Sequence, residues 1–193
     1  SVLYNAFAKG FPSPLPDPAI QYADVARWQR QTYRGSIADA RLNYWKQHLD
    51  GASLILDIPL ARPRPPVQTF RGETRFITID RDLTQRLKAL SSEAGCTLFM
   101  TLLSAFGTLL HRYSGQGDIV IGTPVANRSR SEYEEMVGMF ANTLPLRIVC
   151  SGNPVFRDLL LRVRETATDA YTHQEMPFEQ LVEAIQPKRD LSR

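Results

Sequence analysis

Residues 97–122, "TLFMTLLSAFGTLLHRYSGQGDIVIG", constrain the fold more than any other stretch of this chain. The uncharged run 97–110 is shorter than the roughly 20 residues that cross a membrane as a helix, and it is interrupted by Thr, Ser and Gly. It therefore predicts a buried helix of a globular core, capped by Thr97 and running to about Ser114. "GDIVIG" follows almost at once and reads as a short strand covered on both faces, because its apolar residues are continuous rather than alternating. Together with the segments around it, this gives strands interleaved with helices, which argues for an α/β layered domain.

The flanking segments fit that class. "SVLYNAFAKG" has helical periodicity (Val2, Leu3, Ala6, Phe7), and the proline-rich "FPSPLPDP" after it reads as an extended linker. Two helices follow, "IQYADVARWQRQTYRG" and "IADARLNYWKQHLDG", stopping at Gly35 and Gly51. "ARPRPPVQTF" is a stiff surface connector, and "RGETRFITID" is expected to be a strand from its β-branched content. Asp80 is placed to cap a helix whose stripe is Leu83, Leu87 and Leu90. "TPVANRSRSEYEE" is a polar loop with a helical turn. "NTLPLRIV" alternates Leu144, Leu146 and Ile148 on one face, with Pro145 marking an edge or a bulge. A long helix is expected over about Val155–Tyr171, with its stripe at Phe156, Leu159, Leu160, Val163, Ala167, Ala170 and Tyr171.

Composition narrows the functional classes. The net charge of +3, from 23 Lys and Arg against 20 Asp and Glu, is spread along the chain without basic or aromatic clusters, which argues against nucleic-acid binding. Cys96 and Cys150 lie far apart and, with the three histidines isolated at His48, His111 and His173, give no metal-ligand spacing. Two free thiols and no membrane segment point to the cytosol.

The end of the chain, "AYTHQEMPFEQLVEAIQPKRDLSR", poses a sharper question. His173 beside Glu175 invites a catalytic reading, yet Pro177 suits the first position of a helix and Glu179 suits its positive end. Met176, before the proline, is pushed towards an extended backbone. Local chemistry thus predicts a polar corner between two helices, with an architectural rather than a catalytic task.

The order of several segments carries a resemblance. "YADVARW" (22–28), "VGMFANTLPLR" (137–147), "HQEMPFEQLV" (173–182) and "RDLSR" (189–193) resemble, in order, the YxDFAxW, (I/V)GxFxNTxxxR, (H/N)QDxPFE and RDxSR patterns of condensation domains of nonribosomal peptide synthetases. "PSPLP", "LLHRYSGQ" and "DIVIGTPVANR" are similar too, so the likeness covers essentially the whole chain. Departures are small: Val25 and Ala26, Ala141 for Val, and Glu175 for Asp. The resemblance implies a layered α/β sandwich of the chloramphenicol acetyltransferase-like type, present in part: residues 1–35 as the end of the N-terminal lobe and the lobe connection, and 36–193 as a partial C-terminal lobe.

It further implies amide bond formation between a donor acyl or peptidyl thioester and an acceptor aminoacyl thioester. Both would be held on phosphopantetheine arms of peptidyl carrier proteins, beside the rest of the domain and a neighbouring adenylation domain, with no cofactor or metal of its own. The family's HHxxxDG signature has no counterpart here, so no catalytic residue is assigned and the segment alone is expected to be inactive. Substrate-binding candidates are Asn142, whose amide both donates and accepts, with Gly138 and Thr143 beside it. An Asn capping the entry to the following strand is an equal reading of Asn142, and Gly122 and Gly138 suit turns or close approach. Tyr22, Asp24 and Trp28 read as packing with one anchoring carboxylate, Arg128 as an ion-pair donor, and His111 as a satisfied polar group at a helix end. Heterocyclization or epimerization within the superfamily, and a carrier-protein docking module without chemistry, are the alternatives.

Overall fold

The computed structural model describes residues 2–16 and 20–186; the "RDLSR" segment and part of the proline-rich linker lie outside the described residues. Along the chain the elements are helices α1 (Val2–Phe7), α2 (Tyr22–Thr32), α3 (Ser36–Leu49), α4 (Arg81–Glu93) and α5 (Leu98–Ser114), strand β1 (Asp118–Val125), a 3₁₀ turn (Ser131–Tyr133), strand β2 (Asn142–Val149), and helices α6 (Phe156–Thr172) and α7 (Phe178–Ile185).

The predicted caps form. Asp80 accepts a hydrogen bond from the Leu83 N–H at 2.8 Å, and the Thr97 hydroxyl accepts from Met100 N–H at 3.2 Å. Gly115 closes α5 in the left-handed region, φ 72°, where a residue without Cβ is least strained.

The strands pair antiparallel in an unbroken register, from Asp118 opposite Val149 to Val125 opposite Asn142. Pro145 therefore sits at no bulge; its missing N–H is tolerated because, among the described residues, this sheet has two strands and each has an open edge. One face of the sheet carries Leu144, Leu146 and Ile148, each at most 1% exposed, and packs against α5 and α6. Gly107 is what lets α5 come so close, since a methyl there would stand 2.8 Å from Ile148 Cγ2. Of the α6 stripe, Leu159, Leu160, Val163, Ala167 and Ala170 are buried, Tyr171 is half-buried, and Phe156, in the first turn, is exposed.

Three expectations fail. "RGETRFITID" forms no strand: residues 71–80 are extended coil without ladder hydrogen bonds among the described residues, and Phe76 is 93% exposed. β-propensity describes fit to a pleated, half-buried surface, and this segment has no neighbour to supply one. The α5 helix is buried on one side only; Phe99, Leu102, Phe106, Leu109 and Tyr113 make an exposed stripe on the other. β1 is likewise covered on one face. Its other face, at Val120 and Gly122, borders an apolar groove of about 230 Å³ against Leu49, Phe178 and Leu181. A continuous apolar strand marks the possibility of two covers, and here only one is complete.

Candidate functional site: the corner where the motifs meet

The inward row of β2 begins with a polar residue. Period-two alternation puts Asn142 on the same face as Leu144, Leu146 and Ile148, but at the strand's start, where α6 ends and the chain turns. Its amide nitrogen donates to the carbonyls of Gln174 and Met176, both at 2.7 Å. Its Oδ1 accepts from the Phe178 N–H at 3.0 Å. Asn142 thus spans the corner, holding its carbonyls on one side and the first N–H of α7 on the other. Both amide hydrogens are committed inside the protein. The bond to Phe178 makes Asn142 a cap of α7, a role that neither reading of this residue named.

Pro177 is correspondingly one position earlier than expected. Its ψ of 130° is extended, so it is the N-cap and α7 starts at Phe178. The N-cap side chain that Pro lacks is replaced from a distance by Asn142. Glu179 lies in the first turn as predicted.

His173 and Glu175 face away from each other's chemistry. The His173 Nδ1–H donates to the Asp169 carbonyl at 2.9 Å, its ring stacks on Tyr44 with centroids 3.7 Å apart, and its carbonyl accepts from Trp45 Nε1 at 3.2 Å. Glu175 pairs with Arg41 of α3 at 2.7 Å and accepts from Ser129 at 3.4 Å. The Arg41 guanidinium also lies 5.4 Å over the Tyr33 ring, and the Tyr33 hydroxyl is pushed up to about 12, first by burial and then by the Glu175 carboxylate. Both members of the suspected pair are tied to α3, as an architectural corner requires.

The "YADVARW" helix reaches the same place from another direction. The Tyr22 hydroxyl donates to the Met139 carbonyl at 2.8 Å, and its ring meets Phe140 edge-on at 5.3 Å. Gly138 is required here, because any Cβ would stand inside the Tyr22 ring. Val25 buries against Tyr133, Met136 and Phe140. Asp24 accepts from the Gln21 N–H, capping its own helix, and Arg130 lies 4.7 Å over the Trp28 ring.

Among the described residues Arg128 makes no ion pair of the expected kind. It donates to the carbonyls of Tyr133 and Met136 and covers the Phe140 ring at 4.3 Å, closing the loop on itself. Thr143 lies opposite Pro124, on the sheet face away from α5 and α6. His111 hydrogen-bonds the Gln116 carbonyl at 2.8 Å, as a satisfied helix-end group does.

Arg147, the last residue of the 137–147 motif, and Trp45 carried no assigned role in the sequence. Arg147 grips Asp118 with contacts of 2.7–3.2 Å and donates to the carbonyls of His48 and Asp50, fastening the end of α3 to the sheet. Opposite charges at the start of one strand and near the end of its antiparallel partner were the available signal. Nothing in the spacing marked Trp45, which is 1% exposed and central to the core.

The whole chain, residues 1–193, matches the condensation domain family, and it belongs to that family. It is similar to malpinin synthetase of Mortierella alpina, 48% identical over 191 residues, which are 99% of this chain and 2% of that protein. Chondramide synthase of Chondromyces crocatus is 45% identical over 190 residues, 98% of this chain and 5% of that protein. One of the linear gramicidin synthase polypeptides of Brevibacillus parabrevis is 49% identical over 189 residues, 98% of this chain and 4% of that protein. The chain thus spans a few per cent of the length of these relatives.

Among solved structures, the X-domain in complex with OxyB from teicoplanin biosynthesis aligns with a TM-score of 0.91 and 30% identity, covering 98% of this chain and 43% of that one. A four-domain nonribosomal peptide synthetase bound to AMP and glycine aligns at 0.81 and 31%, covering 89% and 13%. The fold is accordingly part of the chloramphenicol acetyltransferase-like architecture. Among the described residues no single helix is long and apolar enough to cross a membrane.

Proposed function

We propose that this chain is the supporting part of a condensation site that joins a donor acyl or peptidyl thioester to the amine of an acceptor aminoacyl thioester. The amine nitrogen bonds to the donor carbonyl carbon, the C–S bond breaks, the thiol stays on the donor's phosphopantetheine arm, and the amine loses a proton. A thioester is already activated, so alignment of the two arms and stabilisation of the developing oxyanion are the main requirements. Peptidyl carrier proteins would present both arms, next to an adenylation domain and in the cytosol.

One observation carries the reading: segments 22–28, 137–147 and 173–178, far apart in sequence, lock together through Tyr22, Gly138 and Asn142. Asn142 and Gly138 serve this site by fixing its backbone, and Thr143 follows as the next residue of the strand they position. Residues 1–35 act as the end of one lobe and its connection, with α2 seated on the loop of the second lobe at 36–193. The chain contains no His-His pair and holds no assigned proton acceptor for the amine.

The test is a carrier-to-carrier transfer assay run on this 193-residue chain and on the complete domain that contains it. Amide product from the complete domain and none above background from the 193 residues is the expected result. Turnover by the short chain would refute the division of labour. A docking module is the second reading, favoured by the fold match to an X-domain solved in complex with OxyB; carrier binding by the complete domain without any amide product would establish it instead.

A further inference from the structure

We infer that Tyr22 is a positioning residue for the condensation step, acting on Asn142 through the backbone of residues 138–142. The inference rests on the proposed function for its role in turnover, but its physical core is independent of it. Three contacts fix that backbone to α2 and they differ in kind. The Tyr22 hydroxyl takes the Met139 carbonyl at 2.8 Å, the ring fills the space a side chain at Gly138 would occupy, and its edge abuts Phe140. The loop's other supports act on different atoms: Arg128 binds the carbonyls of Tyr133 and Met136 and covers the Phe140 ring, and that ring is buried against Val25 and Tyr133. Between Met136 and Asn142, the side-chain hydrogen bond to the backbone among the described residues comes from Tyr22.

That placement matters because Val137 and Met139 offer little anchorage of their own: they are 93% and 76% exposed. Phe140 is packed, at 6% exposed, so the exposed backbone just before it depends on its hydrogen bond to Tyr22. Three residues after Met139 the chain must deliver Asn142 within 3.0 Å of Gln174, Met176 and Phe178 together. A small shift at Met139 breaks that arrangement, since hydrogen bonds weaken steeply with angle and distance. Tyr22 touches neither Asn142 nor the corner in any of these bonds, so its influence on them runs through the loop.

The test uses the complete condensation domain with its carrier proteins. Tyr22→Phe keeps the ring on Gly138 and removes only the hydroxyl. Loss of one such hydrogen bond should lower kcat by about fivefold with KM for the acceptor carrier unchanged. Amide exchange should accelerate at 139–142 and at Phe178 while β1 and the rest of β2 keep their protection. In an Asn142→Ala background the same substitution should lower kcat by less than about twofold, because the two act along one path. A full, independent fivefold loss in that background would overturn the coupling. Unchanged exchange at 139–142 would overturn the positioning outright, whatever the effect on turnover. If the unsubstituted domain forms no amide, the proposed function fails, while the exchange measurement still decides whether Tyr22 sets the Asn142 clamp.

Discussion

Residues 118–149 and residues 52–80 have similar claims to β-structure on paper, and only one of them has it. "DIVIG" and "RFITID" are both short, β-branched and bounded by turn-formers. The first pairs with β2, and its Ile119 is 1% exposed; the second leaves Phe76 and Ile77 at 93% and 90% exposed. Residues 52–80 are tied to the core near their start, where Gln116 accepts from the Asp57 N–H and donates to the Ile55 carbonyl and the Ser53 hydroxyl. The contrast teaches that a strand's composition states a willingness to pair, and that neighbours decide whether pairing happens.

The largest expected effect tests that contrast directly. Leu160 is fully buried under the sheet, and Leu160→Ala should destabilise the 193-residue chain by about 2–5 kcal/mol through lost transfer energy and a residual cavity. Ile77→Ala, equally a loss of aliphatic surface, should change it by no more than about 0.5 kcal/mol. Chemical denaturation of both variants measures the pair. Comparable losses at the two positions would mean that residues 71–80 are packed in solution and that the contrast is false.

A second test probes the ordered region at its polar seam. Asn142→Asp is nearly isosteric and keeps an acceptor for the Phe178 N–H, but it cannot donate to the Gln174 and Met176 carbonyls. Leaving those two carbonyls facing a carboxylate should cost about 1–3 kcal/mol, more than losing a surface polar group. Faster amide exchange confined to the start of α7 would locate the damage. If Asp is tolerated with no change in stability, the corner is held by its packing alone.

How much of this was legible in the sequence depends on the range of the forces involved. Caps at Asp80 and Thr97, the stripe of α6 and the stop at Gly115 are settled within a few residues, and each appears where local chemistry puts it. The corner at 173–177 was legible for the same reason, apart from a one-residue displacement of the α7 start. The identity of its staple was not, because the Asn142 bonds cross more than thirty residues and no local rule chooses Gln174 or Met176 as partners. The alternation of Leu144, Leu146 and Ile148 extends back to Asn142, but it does not name the groups its amide meets. The Tyr22–Gly138 contact spans still further, and only the absence of a side chain at Gly138 hinted at it. The order of the four motifs recovered the family, which no single interaction could have done.

The smallest effect separates the ordered region from bulk titration. His48 lies where α3 meets the sheet, its ring parallel to Tyr44 at 5.7 Å and its Nε2 buried without a hydrogen-bond partner among the described residues. Burial first, and then the Arg147 guanidinium of β2, hold its pKa below the ordinary histidine value; Asp169 of α6 and Asp118 of β1 oppose them more weakly. The unfolded chain then binds more protons than the folded one between the lowered value and about 6.5. Stability contributed by neutral His48 is therefore complete above about pH 6.5 and is lost as the pH falls through the folded value. Carboxylates titrate at still lower pH, so the informative quantity is the difference between His48→Gln and the unsubstituted chain, followed by Tm from pH 7.5 down to 5. The variant should start slightly less stable and lose less across that span. Parallel curves would show that His48 has the same proton affinity folded and unfolded, and that the seam between α3 and β2 is open to water.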